Sequence, residues 1–106
     1  MFIKVCTTDT QRVISPGFQL EEDNKITVTD VQRMIKSVKA ITIGDKTTVV
    51  QVTLLNGFIL TESSACVDPA NYDQQVGADI CMVKITDKIW FLLGFLLQSA
   101  RNGFPF

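Results

Sequence analysis

A chain of 106 residues is the size of one domain, and 46% hydrophobic residues suffice for a single core, which excludes global disorder. Ten basic and 11 acidic side chains leave a net charge of -1. The basic residues are scattered singly, so there is no electrostatic footprint for a nucleic-acid polymer, and none is expected as partner. Histidine is absent, which removes the commonest general base and the commonest metal ligand. Cys6, Cys66 and Cys81 are an odd number without a CxxC pair, so neither a disulfide framework nor a zinc site is suggested. No enzyme activity, cofactor or metal is expected.

Residues 1–24 show no sustained hydrophobic period. Phe2 to Cys6 fits a short strand and carries no apolar stretch long enough for a secretory signal. Thr7 to Asn24, with Ser15-Pro16-Gly17 and Glu21-Glu22-Asp23, reads as a loop or arm. The expected organisation is therefore an N-terminal strand and loop or arm over residues 1–24, and a single α+β domain over residues 25–106.

Thr29-Asp30-Val31-Gln32 fits a capping box at the start of a short helix ending near Ser37. Val31, Met34, Ile35 and Val38 give that helix one apolar stripe. Val38 to Ile43 then leads as a strand into the turn dipeptide Gly44-Asp45. From Lys46 to Leu55 the side chains alternate, with Thr48, Val50, Val52 and Leu54 on one face. Asn56-Gly57 predicts a two-residue type I′ hairpin, which pairs Leu55 with Phe58 and Leu54 with Ile59. That register places Val50, Val52, Leu54 and Ile59 together in the core.

Asp68 followed by Pro69 reads as a helix N-cap with proline at the first helical position. A long helix runs from there to about Ala100. Ala78, Cys81, Met82, Ile85, Ile89, Leu92, Leu93 and Leu96 form its inward stripe. The opposite side begins polar with Asp79, Lys84, Asp87 and Lys88, and then turns apolar with Trp90, Phe91, Phe95 and Leu97. A helix this long either bends near Gly77 or sends its C-terminal half into a partner subunit. The apolar run Ile89 to Leu97 is too short to cross a membrane. The fold expected is a small antiparallel sheet, hairpin or three strands, with a short capped helix and a long C-terminal helix packed on one face.

Two surfaces are candidates for function. Ser63, Ser64, Asp68, Asn71 and Tyr72 gather small polar groups at a strand-to-helix junction, where unpaired amides suit a phosphate or carboxylate. The plain alternative is that Asp68 caps the helix and Asn71 and Tyr72 brace the turn. Cys66 has no histidine to activate it as a nucleophile. Trp90, Phe91, Phe95 and Leu97 read as an interface, because a cluster of rings at helical spacing is more often core or contact surface than a ligand cage.

Several stretches resemble the gp-forty-nine/gp-sixty-six-like family of small tailed-phage and prophage proteins. They are Ile26-Thr27-Val28-Thr29-Asp30-Val31, Lys46-Thr47-Thr48-Val49, Leu55-Asn56-Gly57-Phe58, the block from Glu62 to Asp73, and the block from Lys88 to Leu97. The resemblance covers about three-quarters of the chain, without the N-terminal arm, and implies a phage origin and a place in the host cytoplasm. The expected role is a non-enzymatic accessory protein of infection, a homo-oligomer (dimer or higher) that binds a host component and blocks a host or defence protein. The alternative is an oligomeric counter-defence sponge that sequesters a small signalling nucleotide at the Ser63-to-Asp73 junction.

Overall fold

The computed structural model describes residues 13–15 and 18–103. The strand expected over Phe2–Cys6 lies outside these residues. The elements in chain order are β1 (Val13–Ser15), β2 (Phe18–Gln19), α1 (Val28–Met34), β3 (Ile35–Ile43), β4 (Thr47–Leu54), β5 (Ile59–Ala65), a 3-10 turn (Pro69–Asn71) and α2 (Gln74–Asn102). They divide between two compact units, Met1–Arg33 with Ile89–Phe106, and Met34–Lys88.

In the first unit, β1 and β2 pair antiparallel where a loop was expected. Val13, Ile14 and Phe18 are residue types that suit a strand. Phe18, Leu20, Val31, Ile89 and Leu93 are its buried apolar side chains. The capping box of α1 lies two residues earlier than Thr29 and Gln32. Thr27 Oγ1 accepts from the Asp30 amide at 3.3 Å, and Asp30 Oδ2 accepts from the Thr27 amide at 3.0 Å. Asp30 is fully buried and also takes the Glu21 amide at 2.8 Å and the Arg33 guanidinium at 3.1 Å. A buried carboxylate needs such donors. Arg33 lies 4.9 Å from the centroid of the Phe18 ring, and Arg101 donates to Asn24 Oδ1 at 2.9 Å.

The second unit holds an antiparallel sheet in the order β3-β4-β5. α1 ends at Met34, earlier than expected, and the stripe residues Ile35 and Val38 belong to β3. The reason is local: the Met34 carbonyl accepts from the Leu55 amide at 2.9 Å, which starts the strand ladder where another helical turn would have followed. Thr48, Val50, Val52 and Leu54 are buried along one face of β4, as their alternation predicts.

The hairpin is not the predicted one. The Gly57 amide donates to the Leu54 carbonyl at 2.9 Å, and the Leu54 amide donates to the Phe58 carbonyl at 2.8 Å. Gly57 has φ +89° while Asn56 does not have positive φ. These features define a type I turn followed by a left-handed glycine in a three-residue loop, not a type I′ turn. The register moves by one residue, Thr53 pairs with Ile59, and every side chain of β5 changes face. Ile59 is thus 52% exposed and leaves the expected core, and half-buried Leu60 takes its place opposite Val52.

The first half of α2 lies over β4 and β5. Cys81 Sγ is 3.9 Å from the Thr48 carbonyl, Lys84 donates to the Ser63 carbonyl at 3.1 Å, and Lys88 pairs with Glu62. The helix runs unbroken through Gly77, which is there for close approach: a Cβ at that position would stand 2.3 Å from Thr48 Oγ1. None of the helices among the described residues is long and apolar enough to cross a membrane.

Candidate functional site

The junction between β5 and α2 is stitched to the sheet at several points. The Cys66 amide donates to the Lys46 carbonyl at 3.0 Å, and Lys46 Nζ donates to the Val67 carbonyl at 3.3 Å. Asp68 caps the 3-10 turn, its carboxylate accepting from the Ala70 amide at 3.0 Å, with Pro69 in the first turn. Capping by Asp68 is therefore real, but it serves a three-residue turn. The long helix starts six positions later and is capped by Asp73, whose Oδ1 takes the Gln75 amide at 2.9 Å and the Val76 amide at 3.4 Å.

Tyr72 closes the junction. Its hydroxyl lies 2.7 Å from Thr42 Oγ1 and 2.7 Å from Thr48 Oγ1, and Gln74 Nε2 donates to Thr42 at 3.0 Å. Thr42 and Thr48 are cross-strand neighbours on β3 and β4, so one phenol fastens the loop to two strands. Thr48 is fully buried, and the bond to Tyr72 satisfies its hydroxyl.

The five candidate ligand residues do not converge on one face. Ser64 is half-buried on the helix side of β5, opposite Thr48, whereas Ser63 is exposed on the other side, opposite Val49. Asn71 is exposed in the 3-10 turn. The amides that could have met an anion are taken by the carboxylates of Asp68 and Asp73. Cys66 Sγ contacts the Asp68 carbonyl at 3.3 Å. Among the described residues no three His, Cys, Asp or Glu side chains group closely enough to hold a metal ion.

Sequence reasoning missed the pair formed by Glu62 and Lys88. The Lys88 hydrogen bond, helped by the charges of Lys88 and Lys84, holds the Glu62 carboxyl below its ordinary value of 4.5 against some desolvation. No sequence spacing links the two positions, which meet because the hairpin register turns Glu62 toward α2. Asp73 was missed as the cap of α2, and the signal that could have found it is an aspartate directly before an uninterrupted helical run.

The other candidate surface lies in the second half of α2. Ile89 and Leu93 are buried, Trp90 and Leu97 are half-buried, and Phe91 and Phe95 are 76% and 59% exposed. One helical turn apart, the two phenylalanines stand on the same side. Gly94 between them faces open space.

Compared with known families, residues 26–101 match the description phage protein (N4 Gp49/phage Sf6 gene 66) family. The chain belongs to that family. No curated protein and no solved structure matches it. The matched span of this phage protein includes α1, all three strands of the larger sheet, the Tyr72 clasp and nearly all of α2.

Proposed function

We propose that this phage protein is a non-enzymatic accessory of infection that acts in the host cytoplasm by binding a host protein through the aromatic end of α2. The observation that carries this reading is the exposure of Phe91 and Phe95 side by side, one helical turn apart on the same side of α2. Soluble proteins seldom leave adjacent rings in water, and an apolar patch bordered by polar residues marks a contact surface. Aromatic side chains are also the usual anchors of protein interfaces. A blocked host or defence protein fits this chemistry.

The nucleotide sponge has less support. Its amides at the Ser63-to-Asp73 junction are already bonded to Asp68 and Asp73, and Tyr72 has its hydroxyl committed to two threonines. One experiment separates the two readings. Affinity-tagged wild type and a Phe91→Glu/Phe95→Glu variant are expressed in the host, purified, and examined by mass spectrometry for protein and for nucleotide. The expected result is one host protein held in stoichiometric amount by the wild type and lost from the variant, with unchanged circular dichroism. A nucleotide released on denaturation, with no protein retained, would overturn the reading in favour of the sponge.

A further inference from the structure

We infer that the free edge of β3 is a self-pairing seam, at which two copies of this chain join their sheets into one continuous antiparallel sheet of six strands. The two edges of the sheet differ. At β5, α2 attends the strand through Lys84 on the Ser63 carbonyl and Lys88 on Glu62. At β3, every side chain from Lys36 to Ile43 is exposed, on both faces. Such an edge offers a row of backbone donors and acceptors to another strand, and proteins either guard it or use it.

β3 is guarded over only part of its length. A register shift between Ile35 and Ser37, together with Lys36 and Lys39, protects its first half. Ala40-Ile41-Thr42-Ile43 has no charge, proline or irregularity. Ile41 and Ile43, 42% and 55% exposed, share the sheet face that α2 does not cover.

The occupant is identified by self-complementarity. When two β3 strands run antiparallel about a two-fold axis at Thr42, Ile41 of each copy falls opposite Ile43 of the other, and Thr42 falls opposite its own equivalent. In the same register the long Lys39 side chain of each copy extends toward the turn of the other that holds Asp45, two residues beyond the end of β3. Apolar side chains meet apolar ones, and each lysine meets an acid, twice over by symmetry. A pairing centred at Lys39 would instead set lysine against lysine. A two-fold interface needs one patch complementary to itself, and the segment 39–45 has that property.

The test is a charge exchange at two exposed positions, which leaves the core untouched. Sedimentation velocity over a concentration series is run on wild type, Lys39→Asp, Asp45→Lys and the Lys39→Asp/Asp45→Lys double variant, with circular dichroism as the check on folding. Each single exchange creates two like-charge pairs and should weaken the dimer roughly tenfold. The double variant restores opposite charges and should regain wild-type association. A monomeric wild type overturns the inference. So do single variants that associate as tightly as wild type, or a double variant as weak as the singles.

Discussion

Gly77 and Gly94 stand on the same helix with opposite consequences. At Gly77 a methyl group would lie 2.3 Å from Oγ1 and 2.8 Å from Cβ of Thr48, which is fully buried in the central strand and has no room to retreat. At Gly94 the same methyl would meet nothing within 4 Å. Helix propensity favours alanine at both sites by about 1 kcal/mol. Overpacking at Gly77 costs about 1–3 kcal/mol, so the steric term wins there. Gly77→Ala should therefore lower stability by up to about 2 kcal/mol in urea melts, while Gly94→Ala should raise it by up to about 1 kcal/mol. A stabilised Gly77→Ala protein would show that α2 does not press on Thr48. Glu62 offers a second test on single residues. Its carboxyl titrates below 4.5 in the folded protein because Lys88 bonds its ionised form. A depressed carboxyl contributes stability above its unfolded value and loses it as pH falls through the folded value. The advantage of wild type over Glu62→Gln should thus persist down to about 4.5 and vanish on further acidification. Denaturation midpoints of the two proteins along that pH series give the answer, and a constant difference would dismiss the pairing.

Elements begin and end where local chemistry is settled by distant partners, and there the sequence was only partly legible. The types of α1, β4, β5 and α2, and the inward stripe of α2, follow from periodicity that survives in the fold: Cys81, Ile85, Ile89 and Leu93 are all buried. The boundaries do not follow. Thr27-x-x-Asp30 and Thr29-x-x-Gln32 are both capping patterns, and the first prevails because Asp30 also gathers Glu21 and Arg33. Asn56-Gly57 is compatible with two hairpin types that differ by one residue of register, and no short-range feature distinguishes them. In the candidate site, Asp68 was legible as a cap, but the role of Tyr72 was not. Thr42 and Thr48 are 30 and 24 residues away from it. Two expectations follow at this scale. Asp73→Ala removes the cap of a 29-residue helix and should cost about 1 kcal/mol, whereas Asp68→Ala should cost only a few tenths, because it caps the start of a single 3-10 turn. Equal losses in chemical denaturation would return Asp68 to the role of main cap. Gly57→Val forces a β-branched residue to φ +89° and should cost about 1 kcal/mol or more, despite the open space around it.

For the molecule as a whole, the two proposed surfaces have different occupants: the edge of β3 a second copy, and the rings of α2 a host protein. From the sequence, Trp90, Phe91, Phe95 and Leu97 read as an interface in two ways, as the surface of self-association and as the surface that blocks a host protein. The proposed seam at β3, in residues 39–45, would supply a self-association surface that does not use the rings. One apolar patch cannot serve both partners at once, whereas two independent surfaces can. The expected outcome is that wild type and Phe91→Glu/Phe95→Glu both sediment as dimers at tens of micromolar, while Lys39→Asp shifts toward monomer. Glutamates at two exposed positions leave the buried stripe of Ile89 and Leu93 in place, so both variants should keep their helical circular dichroism. If the phenylalanine variant alone falls to monomer, the rings are the subunit contact, and a host protein can reach them only by displacing the second copy. In that case capture of the host protein would weaken as the phage protein is concentrated, which a titration at fixed host protein would reveal.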